Sequence, residues 1–213
     1  WQMATGFAVF ANGGYRIEPF VIKEIYDGTG RLIARTDPPV AGQSAPRVID
    51  ERNAWLMDSM MRDVVQRGTA TRARSLKRDD LAGKTGTTND YVDAWFCGYQ
   101  PDLVAVSWVG HSQPRNLGKG ETGGAAALPI WINYMAVALE GMPQVERPRP
   151  DGLKQVPNGL GSRQDWLYAE YRPPAPPPVP DWLKEMFSGD SGPAMGAESE
   201  AIPPGPAPLT LPP

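Results

Sequence analysis

Three strand-like segments follow one another between residues 81 and 110, and this run constrains the fold more than any other part of the chain. The segments cover residues 81–88, 92–99 and 103–110. Only Gln-Pro-Asp at 100–102 separates the second from the third, and so short a connection joins antiparallel strands. The first segment precedes the second closely and is expected to pair with it. The sequence therefore predicts an antiparallel sheet.

Helical patterns flank this sheet. Asp50 offers an N-cap, and Gly68 would end the helix that follows. Between them, apolar residues recur at the spacing of one α-helical face: Met57, Met60, Met61, Val64 and Val65. Residues 128–140 predict a second helix, with packing residues Ile130, Trp131, Tyr134, Val137 and Ala138. Helices packed on an antiparallel sheet make an α+β fold.

Two further elements precede these. Residues 3–11 are typical of the end of a buried helix, which Asn-Gly-Gly at 12–14 would terminate. Residues 20–26 and 31–34 predict two strands, because the Asp-Gly-Thr-Gly sequence between them is a strong hairpin signal. The chain starts inside a helix at Trp1 and not at Met, so we expect it to be the C-terminal part of a longer protein.

Proline divides the chain. Of the 24 prolines, 17 lie after position 142, and six of the nine residues at 172–180 are proline. Proline interrupts helices and sheets, so the end of the chain is expected to form neither, apart from a single helical turn at 182–187. Residues 165–171 are the last segment with packing potential. We expect three regions: a domain at 1–145, an extension packing on it at 146–172, and a disordered tail at 173–213.

Charge and composition exclude several classes of function. The formal net charge is −3 and both signs are interspersed, which argues against nucleic-acid binding. No apolar run approaches the roughly 18 residues that span a membrane, so an anchor would lie outside this chain. Cys97 is the single cysteine and is expected to be buried, and the single histidine, His111, is expected in a loop. Neither a metal nor a cofactor is expected.

The first strand of the sheet carries Lys84-Thr85-Gly86-Thr87. A lysine, two hydroxyls and a position without a side chain at the start of a strand suit an anionic peptide end at a sheet edge. Gly-Lys-Thr also ends a phosphate-binding loop. That alternative fails, because the leading glycine is replaced by Arg78 and strand follows where a helix is required.

Several further motifs stand in one order and spacing with this strand. They are VVQRGTA at 64–70, AGKTGTTN at 82–89, DAWF at 93–96, WVG at 108–110, TGG at 122–124 and ALPIW at 127–131. Over roughly residues 1–145 the chain thereby resembles the C-terminal part of the transpeptidase domain of class A penicillin-binding proteins. The resemblance implies part of the penicillin-binding transpeptidase and serine β-lactamase-like fold.

The resemblance also implies a peptidoglycan DD-transpeptidase, whose serine attacks a stem peptide ending in D-Ala-D-Ala and which β-lactams inactivate. Lys84 would be the active-site lysine of the third motif. Thr85 and Thr87 would contact the substrate carboxylate, Gly86 would leave room for the peptide, and the Thr87 amide would form half of an oxyanion hole. The parent would also be a glycosyltransferase, anchored at the periplasmic face of the bacterial inner membrane.

The sequence departs from the family pattern at the nucleophile. No serine is followed by lysine three residues later or by asparagine two residues later. We therefore expect a fragment that is inactive alone and poorly stable, because the helix carrying the serine would normally cover a sheet face. One alternative is a folding-only module, in which Lys84 and its threonines are an ordinary exposed strand end. Another is a non-catalytic docking module for cell-wall assembly proteins, acting through the proline-rich tail.

Overall fold

A computed structural model describes residues 1–157 and 164–172, and the tail expected at 173–213 lies outside the described residues. Three helices and seven strands occur in the described part. They are α1 Gln2–Ala11, β1 Glu24–Tyr26, β2 Leu32–Arg35, α2 Glu51–Gln66, β3 Ala82–Thr87, β4 Ala94–Gln100, β5 Leu103–Val109, α3 Leu128–Ala138, β6 Leu153–Pro157 and β7 Gln164–Tyr168. The predicted α+β class is confirmed. No helix among these residues is long and apolar enough to cross a membrane.

The central sheet has the strand order β3-β4-β5 and is antiparallel throughout, as the sequence predicts. Lys84 pairs with Cys97 and Gly86 with Trp95 between β3 and β4. Trp95 pairs in turn with Trp108 on β5. The register is continuous across both strand pairs, so the lysine-bearing end of β3 has a fixed position relative to the rest of the sheet.

Helices cover both faces of this sheet. Successive strand residues point to opposite faces, so Phe96 enters one apolar cluster with Trp131 of α3, and Tyr99 enters another with Ala11 of α1. The Phe96 and Trp131 rings meet edge to face with their centroids 4.9 Å apart. Helix α2 contacts β3 and contributes to both clusters. The core therefore lies on both sides of the strands that carry the site.

The buried faces of the helices differ in part from the predicted ones. Met61 and Val65 of α2 are buried as expected, whereas Met60 is 58% exposed. On α3 the buried stripe is Leu128, Trp131, Met135 and Leu139. The predicted packing residues Ile130, Tyr134 and Val137 are exposed, because the apolar sequence of α3 offers more than one face and the sheet accepts only one. Helix α1 is expected to be buried, but Ala11 is its only buried residue.

The predicted β1–β2 hairpin is confirmed, with a shorter first strand. The Asp27 carboxylate accepts hydrogen bonds from the backbone N–H groups of Thr29 and Arg31, which fixes the turn. The Thr29 hydroxyl also donates to this carboxylate, and it contributes most to holding the pKa of Asp27 below its ordinary value, followed by the Arg31 N–H. The pairing shifts register between Ile25 and Tyr26, which shortens the ladder.

No strand is predicted from the sequence at residues 146–172, whereas β6 and β7 pair there as antiparallel strands. Pro157 occupies the last position of β6, where the missing N–H costs least. Trp166 of β7 packs edge to face on Trp55 of α2, with ring centroids 5.2 Å apart. An ion pair of 2.9 Å joins Arg52 to Glu170 beside this contact. The domain boundaries stay a prediction.

A buried carboxylate joins α2 to the sheet and to the segment after α3. Asp58 accepts hydrogen bonds from the Tyr99 hydroxyl at 2.9 Å and from Arg62 Nε at 2.8 Å. Burial and the neighbouring Asp58 charge raise the pKa of Tyr99 far above its ordinary value, so this phenol stays protonated as the donor. Arg147 lies 3.9 Å from Asp58 and donates to the carbonyl oxygen of Phe10 at 2.7 Å.

Candidate functional site

The Lys84–Thr87 run lies on β3, which within the described residues has a neighbour on one side only. The Thr88 N–H donates to the carbonyl of Asp93 at 3.1 Å, in the loop that joins β3 to β4. Hydrogen-bonding positions alternate along an antiparallel strand, so Gly86 and Lys84 also direct their backbone groups to β4. Thr85 and Thr87 therefore direct their N–H and C=O groups to the opposite edge. An extended peptide can pair there.

The side chains of this run are divided between the two faces of β3. Thr85 and Thr87 share one face, and Lys84 lies on the other, because side chains alternate along a strand. The Lys84 ammonium donates to the Thr85 carbonyl at 2.8 Å. Since that carbonyl points to the unpaired edge, the ammonium reaches the edge from the opposite face. The edge is thereby lined by a cation on one side and hydroxyls on the other.

Each hydroxyl on β3 contacts a separate segment of the chain. The Thr69 and Thr85 hydroxyl oxygens are 2.8 Å apart, in a hydrogen bond whose donor can be either group. The Thr87 hydroxyl oxygen accepts from the backbone N–H of Gly123 at 3.0 Å. The Thr87 hydroxyl is the acceptor in this bond, so the bond does not use its proton, which can be donated to a ligand. Three segments therefore meet at the lysine-bearing end of β3.

Two positions without side chains allow this meeting. A Cβ at Gly123 would lie 2.3 Å from the Trp95 carbonyl oxygen and 2.5 Å from the Gly86 carbonyl oxygen. A Cβ at Gly124 would lie 3.1 Å from the Thr69 carbonyl oxygen. The backbone of the turn Gly123–Ala127 therefore lies directly against the sheet, at a distance that other residues do not permit.

The loop between β3 and β4 is held by Asp93. Its backbone N–H donates to the Thr88 hydroxyl at 2.7 Å, and its carboxylate accepts from Trp108 Nε1 at 2.9 Å. Trp108 also packs on Trp95 with ring centroids 5.9 Å apart. Asp90 and Tyr91 both adopt left-handed backbone angles, with φ of 57° and 52°. These contacts fix the end of β3 immediately after Thr87.

The other singled-out residues lie outside this arrangement. Cys97 is buried opposite Lys84, and burial raises the pKa of its thiol, so it stays a neutral thiol. His111 follows β5 in a loop, as predicted. Within residues 1–157 and 164–172, no three His, Cys, Asp or Glu side chains are placed to hold a metal ion. The groups that the β3 edge presents are the Lys84 ammonium, the hydroxyls of Thr85 and Thr87, and backbone N–H and C=O groups.

The sequence singles out the β3 residues as a candidate site but not their hydrogen-bond partners Thr69 and Gly123. Thr69 lies 16 residues before Thr85, and Gly123 lies 36 residues after Thr87. No periodicity connects positions so far apart in sequence. The sequence carries one signal for them: Thr69 lies in the motif at 64–70 and Gly123 in the motif at 122–124, and both motifs belong to the set that carries the family resemblance.

Comparisons with known proteins give a consistent result. The family model described as penicillin binding protein transpeptidase domain matches residues 1–135. A penicillin-binding protein 1A of Neisseria lactamica is 50% identical over 152 residues, which cover 71% of this chain and 19% of the relative. A protein of the same name from Pseudomonas aeruginosa is 39% identical over 197 residues, covering 71% of this chain and 24% of the relative. The chain spans about a fifth of the length of these relatives.

A solved structure agrees with these sequence matches. The crystal structure of penicillin-binding protein 1A from Haemophilus influenzae superposes with a TM-score of 0.74 at 31% sequence identity. The superposition covers 82% of this chain and 32% of that one. The likeness therefore extends across most of the chain.

Proposed function

The chain belongs to the penicillin-binding protein transpeptidase family, and from this we propose that it forms the substrate-holding wall of a serine-type D-Ala-D-Ala transpeptidase site. The observation that carries the proposal is the unpaired edge of β3, which presents backbone groups, two hydroxyls and an ammonium together. A stem peptide would pair along this edge as an added strand, and its terminal carboxylate would be held by these cationic and hydroxyl groups.

Each residue of the run has a role in this proposal. The Lys84 ammonium supplies positive potential for the carboxylate and for deprotonated neighbouring groups. Thr85 and Thr87 donate hydroxyl protons to the carboxylate. Gly86 has no side chain to obstruct the peptide, and a Cβ there would also crowd the neighbouring strand, at 3.3 Å from the Trp95 Cβ. The Thr87 N–H is one donor of the oxyanion hole, which is typically worth roughly 3 kcal/mol in the transition state.

Binding of a peptide requires one local change. The Lys84 ammonium donates to the Thr85 carbonyl, an acceptor that an added strand would use. The incoming backbone N–H would replace the ammonium at this oxygen, and the ammonium would turn to the carboxylate of the ligand. A charge-assisted bond to a carboxylate is stronger than a bond to a neutral carbonyl, so the exchange favours an anionic ligand over a neutral one.

The nucleophile in this proposal lies outside the chain. No serine in the sequence has the spacing of the first or second family motif, namely lysine at the third or asparagine at the second following position. The serine would form an acyl-enzyme with release of D-Ala, and the acyl group would pass to an amine of a neighbouring stem peptide. A catalytic unit without its nucleophile loses nearly all its rate, so the chain alone is expected to be inactive.

The proposal includes the setting of the parent protein. Peptidoglycan cross-linking would occur at the periplasmic face of the inner membrane, with the anchor and a glycosyltransferase domain outside this chain. Support comes from relatives named penicillin-binding protein 1A, of whose length the aligned segment makes up 19%. The alternative of a docking module for cell-wall assembly proteins rests on residues 173–213, which lie outside the described residues.

Acylation by a fluorescent penicillin tests the proposal. The test protein is a chimera in which this chain replaces the homologous segment of the Neisseria lactamica relative, so that the serine motifs are supplied. We expect covalent labelling of the chimera and none of the isolated chain. Labelling of the isolated chain would refute the claim that the nucleophile lies elsewhere, and an unlabelled, folded chimera would refute the transpeptidase proposal.

Lys84→Ala in the chimera examines the strand itself. We expect acylation to slow by at least about 100-fold, the scale measured for loss of one transition-state contact, with little change in thermal unfolding because Lys84 is exposed. The matched control is Lys23→Ala, at an exposed lysine before β1. If the Lys84→Ala variant is acylated at the normal rate, Lys84 is an ordinary surface residue and has no role in acylation.

A further inference from the structure

We propose that Thr69, in the loop after α2, is a positioning residue that aims the Thr85 hydroxyl at the carboxylate of a bound peptide. This inference rests on the proposed function and extends it to a residue outside the β3 run. Its basis is the 2.8 Å hydrogen bond between the Thr69 and Thr85 hydroxyl oxygens. Thr69 comes from the loop after α2, whereas Thr85 comes from the middle of β3.

The proton count of the pair gives the hydrogen bond a direction when an anion binds. Two hydroxyls carry two protons, and the bond between them uses one. When Thr69 donates to Thr85, the Thr85 proton is left for the ligand. An anion beside Thr85 favours this arrangement, since the chain of hydrogen bonds then runs toward the negative charge and each bond strengthens the next. Without Thr69, the Thr85 hydroxyl can rotate away.

The position of Thr69 is held independently of its hydroxyl. Gly68 and Ala70 on either side both donate backbone hydrogen bonds to the carbonyl of Val64, at 3.2 and 3.0 Å. Ala70 is also fully buried in the core. The Thr69 side chain, by contrast, is exposed. Removing its hydroxyl therefore leaves the loop in place and alters only the orientation of Thr85.

A parallel arrangement at Thr87 supports this interpretation. The Thr87 oxygen accepts from the Gly123 N–H at 3.0 Å, which leaves its proton for a ligand. Gly124 lies against the Thr69 carbonyl, where a Cβ would be 3.1 Å away. When Thr69 donates to Thr85, both hydroxyls on this face of β3 accept from a neighbouring segment, and both of their protons are left for a ligand.

Four variants of the chimera test the role of Thr69: Thr69→Val, Thr69→Ser, Thr85→Val and the double variant with both valines. Thr69→Val keeps the shape and removes the hydroxyl, and we expect acylation by benzylpenicillin to slow about five- to tenfold, the scale of one hydrogen bond. Thr69→Ser keeps the hydroxyl and is expected to stay within about twofold of the parent rate. In a Thr85→Val background, Thr69→Val is expected to add less than about twofold, since coupled residues are not additive.

A second comparison uses two ligands that differ in the carboxylate. Benzylpenicillin methyl ester lacks the free carboxylate, so we expect it to acylate the parent chimera and its Thr69→Val variant at the same low rate. Parent-like acylation of Thr69→Val by benzylpenicillin, a full additional loss in the Thr85→Val background, or an equal fractional loss with the ester would each overturn the positioning role. Thermal unfolding of each variant separates these results from a loss of fold.

Failure of the proposed function has a different signature. If the parent chimera is folded but never acylated, the transpeptidase proposal fails. The role of Thr69 is then judged on the intact 213-residue chain, titrated with acetyl-D-Ala-D-Ala and followed by NMR. Thr69→Val must weaken this binding at least about threefold relative to Thr69→Ser, as one lost hydrogen bond requires. Equal affinities of the two variants would refute the proposal.

Discussion

Adding one methyl group at Gly123 is expected to separate the turn Gly123–Ala127 from the sheet. The new Cβ would lie 2.3 Å from the Trp95 carbonyl oxygen and 2.5 Å from the Gly86 carbonyl oxygen. An ordinary contact between carbon and oxygen is about 3.3 Å, so a displacement of about 1 Å is required. Gly86 and Trp95 are register partners in the β3–β4 ladder and cannot retreat without breaking it. The turn must therefore move.

The energetic cost has two parts. Crowding a well-packed site costs about 1–3 kcal/mol. A shift of this size also breaks the 3.0 Å bond from the Gly123 N–H to Thr87, worth about 1 kcal/mol. Gly123→Ala is therefore expected to destabilise the chain by roughly 2–4 kcal/mol, and the melting temperature should fall by roughly 5–15 °C at this size.

Equilibrium urea unfolding and thermal melts measure this difference. The matched control is Gly6→Ala, where a Cβ meets nothing within 4 Å. Gly6 lies inside α1, so the control is expected to stabilise by about 0.5–1 kcal/mol through helix propensity. If Gly123→Ala lies within about 0.5 kcal/mol of the unsubstituted chain, which is the usual range for unimportant surface changes, the close approach of turn and sheet is refuted.

Two further predictions concern the core and the acid stability of the chain. Trp131→Ala should destabilise by about 3–5 kcal/mol in urea unfolding, because the indole is 1% exposed and donates to the Ala105 carbonyl; a cost below about 1 kcal/mol would contradict its central place. Burial alone would raise the pKa of Asp80, but Arg78 and the Val145 N–H hold it below its ordinary value. This stabilisation is present above the unfolded-state pKa of about 3.9 and is lost as pH falls through the lower folded-state pKa. Asp80→Asn should therefore flatten the fall in stability below about pH 4, whereas Asp79→Asn, at an exposed neighbour, should not; parallel pH profiles of both variants would contradict this assignment.

Local signals predicted the elements whose partners are close in sequence. The turn at Asp27 and the two-residue connection of Pro101 and Asp102 both specify antiparallel neighbours without help from distant residues. Proline content does not predict the β6–β7 pairing, because proline interrupts strand pairing at most positions. Pro157 is instead placed at a strand end, which composition alone cannot show.

Distant contacts were beyond the reach of sequence patterns. The face of α3 that enters the core is set by Phe96 and the space above Gly98, where a Cβ would be 2.8 Å from Trp131. The strongly apolar helix itself does not distinguish Trp131 from Tyr134. Likewise Thr85 was identified from its own motif, whereas its hydrogen-bond partner Thr69 became visible only when α2 and β3 were placed side by side.

The contact between Arg147 and the end of α1 has a consequence for the order of folding. Its guanidinium binds the carbonyl oxygens of Phe10 and Ala11, which lie 137 and 136 residues earlier. Closing so long a loop carries a large entropic cost, and contacts of this separation slow folding. During synthesis α1 leaves the ribosome long before Arg147 exists. More than a hundred further residues must therefore be synthesised before Arg147 can donate to the last carbonyl groups of α1.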